Sequence, residues 1–160
     1  MISLIVHALL GLAVIGWIVA SNPKIFARPD GGPWFSPLEY VYYAVGIASI
    51  VLGWYFNIRF VTETASAGGN VIHGPGSYPS FLRSQFASSA AGSGISDYLI
   101  ANVILLPVFT ITDGLRRGIR RPWLYFLCSF FTSFSFPLAF YFATMERQRR
   151  HAEARETVDA

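Results

Sequence analysis

Two carboxylates, Glu39 and Asp113, have the best claim to chemistry in this sequence, because each sits at the end of a long apolar stretch. An acid in an apolar setting has its pKa raised and keeps its proton until it is needed, as a general acid requires. If the stretches fold as antiparallel helices, the start of the second and the end of the third share one face. Glu39 and Asp113 can then approach each other, while Arg59 and Asp97 lie at the opposite face. Asp97 and Asp113 are sixteen residues apart, roughly 24 Å along a helix, and cannot work as a pair. Each carboxylate of the dyad also has a structural reading. Ser36-Pro37-Leu38-Glu39 is a capping box, with serine as the cap, proline in the first turn and glutamate three residues on. Asp113 precedes Arg116 and Arg117 by three and four residues, the spacing of ion pairs on one helix. The structural reading is the stronger, so no catalytic residue is assigned, and the dyad stands as the alternative.

The remaining polar groups are scattered. His7 lies in the first apolar stretch, where an ionisable group is a functional candidate. No second histidine, cysteine or carboxylate stands at i+3 or i+4 to complete a metal site, so a neutral imidazole bonded to a neighbouring helix is expected. His73 and His151 fall in a loop and a charged tail and read as solvated. Asn102 is expected to bond across to another helix. Cys128 is the single cysteine and supports neither a disulfide nor a metal cluster. No phosphate-binding loop, dinucleotide fingerprint, zinc spacing or nucleophile elbow occurs, and no cofactor is expected.

The elements that must hold these groups are written in the charges. Hydrophobic residues make up 53% of the 160 positions and charged ones 13%, about half the share usual in a soluble domain. No Asp, Glu, Lys or Arg occurs in 1–23, 40–58, 98–112 or 122–145. Crossing about 30 Å of hydrocarbon takes roughly 20 helical residues, and runs without alternation exclude barrel strands. The spacing predicts an all-α integral membrane four-helix bundle, with helices at 3–20, 37–61, 97–115 and 122–145. A long Gly/Ser-rich loop, 62–95, joins helices two and three, and a charged tail, 146–160, extends helix four. Within the loop, 79–86 suits a short amphipathic turn on the membrane surface and 64–78 reads as unstructured. Pro107 should kink the third helix. The first stretch lacks the basic start of a signal peptide, so an uncleaved helix is expected.

Four crossings leave the orientation undecided. With the N-terminus in the cytoplasm, Arg59, Arg83, Arg147, Arg149, Arg150 and Arg155 lie inside; in the reverse sense Lys24, Arg28, Arg116, Arg117, Arg120 and Arg121 do. That is six against six, so the positive-inside rule does not choose, although the uncharged loop leans toward export. Arg116, Arg117, Arg120, Arg121, Arg147, Arg149 and Arg150 are expected at lipid headgroups. Nucleic acid is not an expected partner, because the basic residues crowd at helix ends. Small residues form stripes suited to close helix packing or a partner interface: Gly16 and Ala20; Gly46, Ser49 and Gly53; Ser129 and Ser133. Phe126, Phe130, Phe134 and Tyr141 make an aromatic wall for packing or for contact with lipid.

Residues 96–150 resemble the C-terminal half of a family of small bacterial membrane proteins known as a domain of unknown function. The likeness rests on Asp113, Arg116-Arg117-Gly118, Trp123-Leu124-Tyr125, Phe134-Ser135-Phe136-Pro137 and Glu146-Arg147, and it implies no catalytic residue. In overall shape the chain also resembles lipid uptake coordinator subunits of actinobacterial Mce lipid importers. These likenesses imply a non-catalytic accessory or stabilising subunit of a bacterial inner-membrane complex, in contact with lipids and a larger protein assembly. The alternative is a membrane-embedded enzyme on isoprenoid or lipid substrates. It would be similar to small membrane terpene cyclases and would use Glu39 and Asp113.

Overall fold

The computed structural model describes residues 2–29, 32–64 and 74–159, and it is helical throughout, with no strand among the described residues. The elements are α1 (Ile2–Ser21), α2 (Pro23–Phe26), α3 (Pro37–Thr64), α4 (Tyr78–Ser84) and α5 (Ser89–Leu99). A π-helical stretch, Ile100–Leu105, leads without a break into α6 (Leu106–Arg116), and α7 (Trp123–Ser129) and α8 (Ser135–Asp159) follow. Three helices are long and apolar enough to cross a membrane: Leu4–Ser21, Pro37–Thr64 and Ser89–Arg116.

Among the described residues, the expected loop 62–95 is largely helical instead. α3 continues to Thr64, the amphipathic turn is helix α4, and α5 begins at Ser89. Hydroxyl caps explain the added helix: Ser77 Oγ accepts from Ser80 N at 3.3 Å and Ser88 Oγ from Ala91 N at 3.1 Å. Between α3 and α4, Gly76 lies at a φ of 78°, where a Cβ would come within 2.7 Å of Thr64 Oγ1. Residues 65–73, part of the segment read as unstructured, lie outside the described residues. The third helix is therefore longer than expected. Pro107 sits just after its π-helical stretch, which relieves the clash of the proline ring with the carbonyl four residues before it.

The fourth apolar run does not form one helix. α7 leads into the turn 130–134, and α8 then runs back alongside it. The Tyr125 and Thr144 hydroxyls bond at 2.7 Å, and the Tyr125 and Tyr141 rings lie 5.0 Å apart. The seven residues of α7 cover only about 10 Å. The turn has its own stop and start signals. Thr132 Oγ1 donates to Cys128 O at 2.8 Å, Phe136 N donates to Ser133 Oγ at 3.2 Å, and Pro137 stands in the first turn of α8.

This hairpin is the centre of the molecule. Val14 and Ile18 of α1 join Ile119, Leu124, Tyr125, Cys128, Phe136, Phe140 and Tyr141 in one buried cluster. α1 runs antiparallel to α7, with Trp17 on Trp123 at 5.6 Å and Gly11 against the Phe131 backbone. α3 runs antiparallel to α8. Ser49 donates to Ser133 Oγ at 2.8 Å, and a Cβ on Gly46 would stand 3.0 Å from Phe136. α6 lies along both arms through Phe109 on Tyr141 and the close approach of Gly114 to Pro122. The ends of α1 and α6, the start of α3 and both ends of the hairpin thus share one end of the molecule.

Candidate functional site

Arg147 organises that shared end. It lies on the buried face of α8, in register with Phe136, Phe140 and Ala143, and it is 1% exposed. Its guanidinium reaches five oxygens. Nε donates to Ile25 O at 3.1 Å, and Nη2 to Ala27 O at 2.9 Å and Phe26 O at 3.4 Å. Nη1 donates to Trp34 O at 3.4 Å and Glu39 Oε1 at 2.8 Å. Five donors on a planar fork meet five acceptors, so the ion is taken out of water with its hydrogen bonds intact. The guanidinium also stacks over Phe35, 5.3 Å from its centroid.

Glu39 is fully buried opposite it. The capping box forms: Ser36 N donates to Glu39 Oε2 at 2.8 Å and Glu39 N to Ser36 Oγ at 3.1 Å. Arg150 Nη1 pairs with the same Oε2, and Arg150 Nη2 donates to Pro33 O at 2.5 Å. Glu146 extends the network, accepting from Ser36 Oγ at 3.1 Å and from Arg149 Nη2 at 2.8 Å. The bond from Arg149 holds its carboxyl below the ordinary carboxylate range.

Asp113 is committed elsewhere. Its Oδ2 accepts from Arg117 Nε at 2.6 Å, the expected i,i+4 pair, and from the Tyr141 hydroxyl at 2.8 Å. No hydrogen bond or ion pair joins Glu39 to Asp113 among the described residues. Each carboxylate has its own guanidinium partner.

The other candidates are distributed. His7 packs edge-on to Phe131, with centroids 6.0 Å apart. Asn102 bonds within its own helix, through Nδ2 to the Tyr98 hydroxyl at 3.3 Å, and its buried Oδ1 meets no partner among the described residues. His151 is bonded rather than simply solvated: its Nε2 lies 3.2 Å from Ile25 O, and since a carbonyl only accepts, the ring donates. His73 lies outside the described residues. No group of three metal-ligating side chains occurs among the described residues.

Gly46, Ser49, Gly53 and Ser133 all meet at the α3–α8 contact, and Ser129 is buried in α7, where its Oγ bonds to Phe126 O at 2.8 Å. Gly16 and Ala20 are on an exposed face of α1, with nothing within 4 Å of a Cβ placed on Gly16. Of the aromatic wall, Tyr141 is core, Phe126 packs on Phe130 at 5.0 Å, Phe134 on Tyr98 at 5.9 Å, and Phe130 is exposed. Arg116, Arg120 and Arg121 stay exposed, Arg121 over the Trp17 ring at 5.2 Å. Arg149 is exposed but paired with Glu146 and Glu153.

Sequence reasoning missed two residues that close this end. Arg147 is expected at lipid headgroups, yet it is buried, because the apolar repeat at 136, 140 and 143 passes through it. Asn22 accepts from Arg120 N at 2.7 Å and donates to Arg120 O at 3.1 Å and Ile18 O at 3.0 Å, pinning the 117–122 turn to the end of α1. Nothing in its sequence neighbourhood signals that long-range bond.

Three long apolar helices around a buried hairpin, closed at one end by an arginine-centred network, define a helical membrane protein. The chain belongs to DUF2834, a protein family of unknown function, whose pattern covers residues 41–147. The match begins earlier than the resemblance at 96–150 and takes in most of α3 and α8 as far as Arg147. No curated protein and no solved structure matches the chain.

Proposed function

We propose that the chain is a non-catalytic structural component of a bacterial inner-membrane assembly, held in place by three crossing helices and a hairpin that enters and leaves on one face. The carrying observation is that Glu39 and Asp113, the two acids best placed for chemistry, are each bound to arginine. That commitment weighs against the isoprenoid or lipid enzyme. The narrower role, an accessory subunit of an Mce-type lipid importer, rests on the resemblance in overall shape. The crossing helices leave broad apolar faces for lipid or a partner: in α3 only Glu39 and Gly46 are buried.

The hairpin also supports an orientation. Its return places Arg147, Arg149, Arg150 and Arg155 at the same end as Lys24, Arg28, Arg116, Arg117, Arg120 and Arg121. Only Arg59 and Arg83 lie at the other, ten against two of the 12 basic residues. The basic end is the cytoplasmic one, with the N-terminus and α4 outside. A C-terminal fluorescent-protein fusion is expected to glow, while a C-terminal alkaline phosphatase fusion stays inactive. Active phosphatase at that position would overturn the arrangement.

For the assembly role, affinity purification of the tagged chain in mild detergent is expected to bring down larger membrane subunits in fixed ratio. Gly16→Leu, on the open face of α1, should cost that recovery while leaving the chain's own abundance unchanged. A lone protein, together with loss of cellular function in Asp113→Asn at normal abundance, would point to the enzyme instead.

A further inference from the structure

A cleft of about 190 Å³ opens between α2 and α8, lined by Lys24, Ile25, Gln148, His151, Ala152 and Arg155. Residues 148, 151, 152 and 155 recur at helical spacing, so they form one face of α8 beyond its buried stretch. The two walls are fastened together, because Ile25 O accepts from both Arg147 Nε and the His151 ring. Ile25 and Phe26 pack on the core below, which leaves Lys24 exposed at the rim. The lining contains no acid. Arg117, Arg147, Arg149 and Arg150 are paired with Asp113, Glu39, Glu146 and Glu153, whereas Lys24 and Arg155 have no ion-pair partner among the described residues.

We infer that this cleft binds the phosphate of an anionic glycerophospholipid headgroup, with Lys24 and Arg155 supplying the charge. Its depth suits that ligand. If α8 leaves the hydrocarbon at Met145, Gln148 and His151 stand roughly 5 to 9 Å above it at 1.5 Å per residue. The headgroup layer extends about 5–8 Å on each side of the core. Arg155 is about one turn further out, where its flexible stem lets the guanidinium reach back down. A cleft of this size is smaller than a typical pocket for a whole organic ligand of about 300 Å³ or more, and it suits a phosphate with its acyl chains left in the bilayer. A basic notch between helix ends is a recurrent form of lipid recognition. The inference rests on the membrane placement proposed above but not on which face is cytoplasmic.

The test uses the full chain in detergent micelles doped with phosphatidylglycerol or with phosphatidylcholine, reading retained lipid by native mass spectrometry. Phosphatidylglycerol should be retained preferentially. K24Q/R155Q should weaken that retention about 30-fold, from the attraction expected of two basic residues near a charged surface. R116Q/R120Q removes the same charge from the same end but outside the cleft and should leave retention close to wild type. Soluble glycerol phosphate, tested as a competitor, separates the sources. Failure to displace the lipid supports a membrane-held headgroup, and full displacement at equal concentration overturns it in favour of a free phosphate ester. Equal retention of the two lipids, or equal loss in both double variants, would also overturn the site. So would loss of a co-purifying acidic protein in K24Q/R155Q with lipid retention unchanged. These readings are made in micelles, so an inverted topology in the fusion experiment would leave them intact.

Discussion

Arg147→Met is expected to cost the fold about 3–5 kcal/mol, the range for removing one partner of a buried ion pair. The loss has two parts. Glu39 keeps Arg150 on Oε2 but loses the donor on Oε1 at 2.8 Å, in a place with no exposure to water. Four backbone carbonyls, those of Ile25, Phe26, Ala27 and Trp34, lose a charged donor together. Arg147→Lys keeps the charge without the fork and should fall between the two, because an ammonium cannot serve five divergent acceptors. E39Q/R147M should recover part of the loss, since the position stripped of its Arg147 donor then holds a neutral amide rather than a carboxylate oxygen. The measurement is the melting midpoint of the detergent-solubilised chain, followed by tryptophan fluorescence. An unchanged midpoint in R147M would mean that the network is ornamental.

Gly114→Ala is the second large effect. A Cβ there would stand 2.5 Å from Pro122 Cβ and 3.3 Å from Pro122 Cγ, with the Tyr141 hydroxyl at 3.4 Å. The proline ring cannot turn aside, so the α6–α7 connection must shift as a body. Overpacking of that kind costs about 1–3 kcal/mol, and the strain falls on the Tyr141–Asp113 bond beside it. A lower melting midpoint with reduced yield of monodisperse protein is expected. Gly94→Ala, where nothing lies within 4 Å of the added carbon, should not show it. Equal behaviour of the two variants would refute the close contact.

Much of the helical plan was legible because charge marks where a helix may not enter oil. The start of α3 could be read to the residue, since Ser36, Pro37 and Glu39 act locally and the bonds they form are local. The charge-free run 122–145 could not be read the same way. A segment that crosses and one that folds back need the same apolar composition, and only Thr132, Ser133 and Pro137 distinguish them. The orientation tie followed from that ambiguity, because it moves four arginines from one end to the other. The small residues on α3 face Phe136 and Ser133. Periodicity alone does not name the neighbour, and five of the seven positions lie within the chain's own α3, α7 and the 130–134 turn. The pairing of Arg147 with Glu39 spans 108 positions, beyond the reach of any local rule.

That separation bears on how the chain is made. The seat for Arg147 consists of residues between α1 and the first turn of α3, whereas its occupant follows α6 and α7 in the order of synthesis. Until the ribosome has delivered α8, the turn between α1 and α3 holds a carboxylate and a set of carbonyls with no counterion, and they must remain hydrated at the bilayer surface. Closure is therefore a late event in biogenesis. Chains that stop short of position 147 should be recognised as unfinished and removed by quality-control proteases, even though the three long apolar helices have already been made.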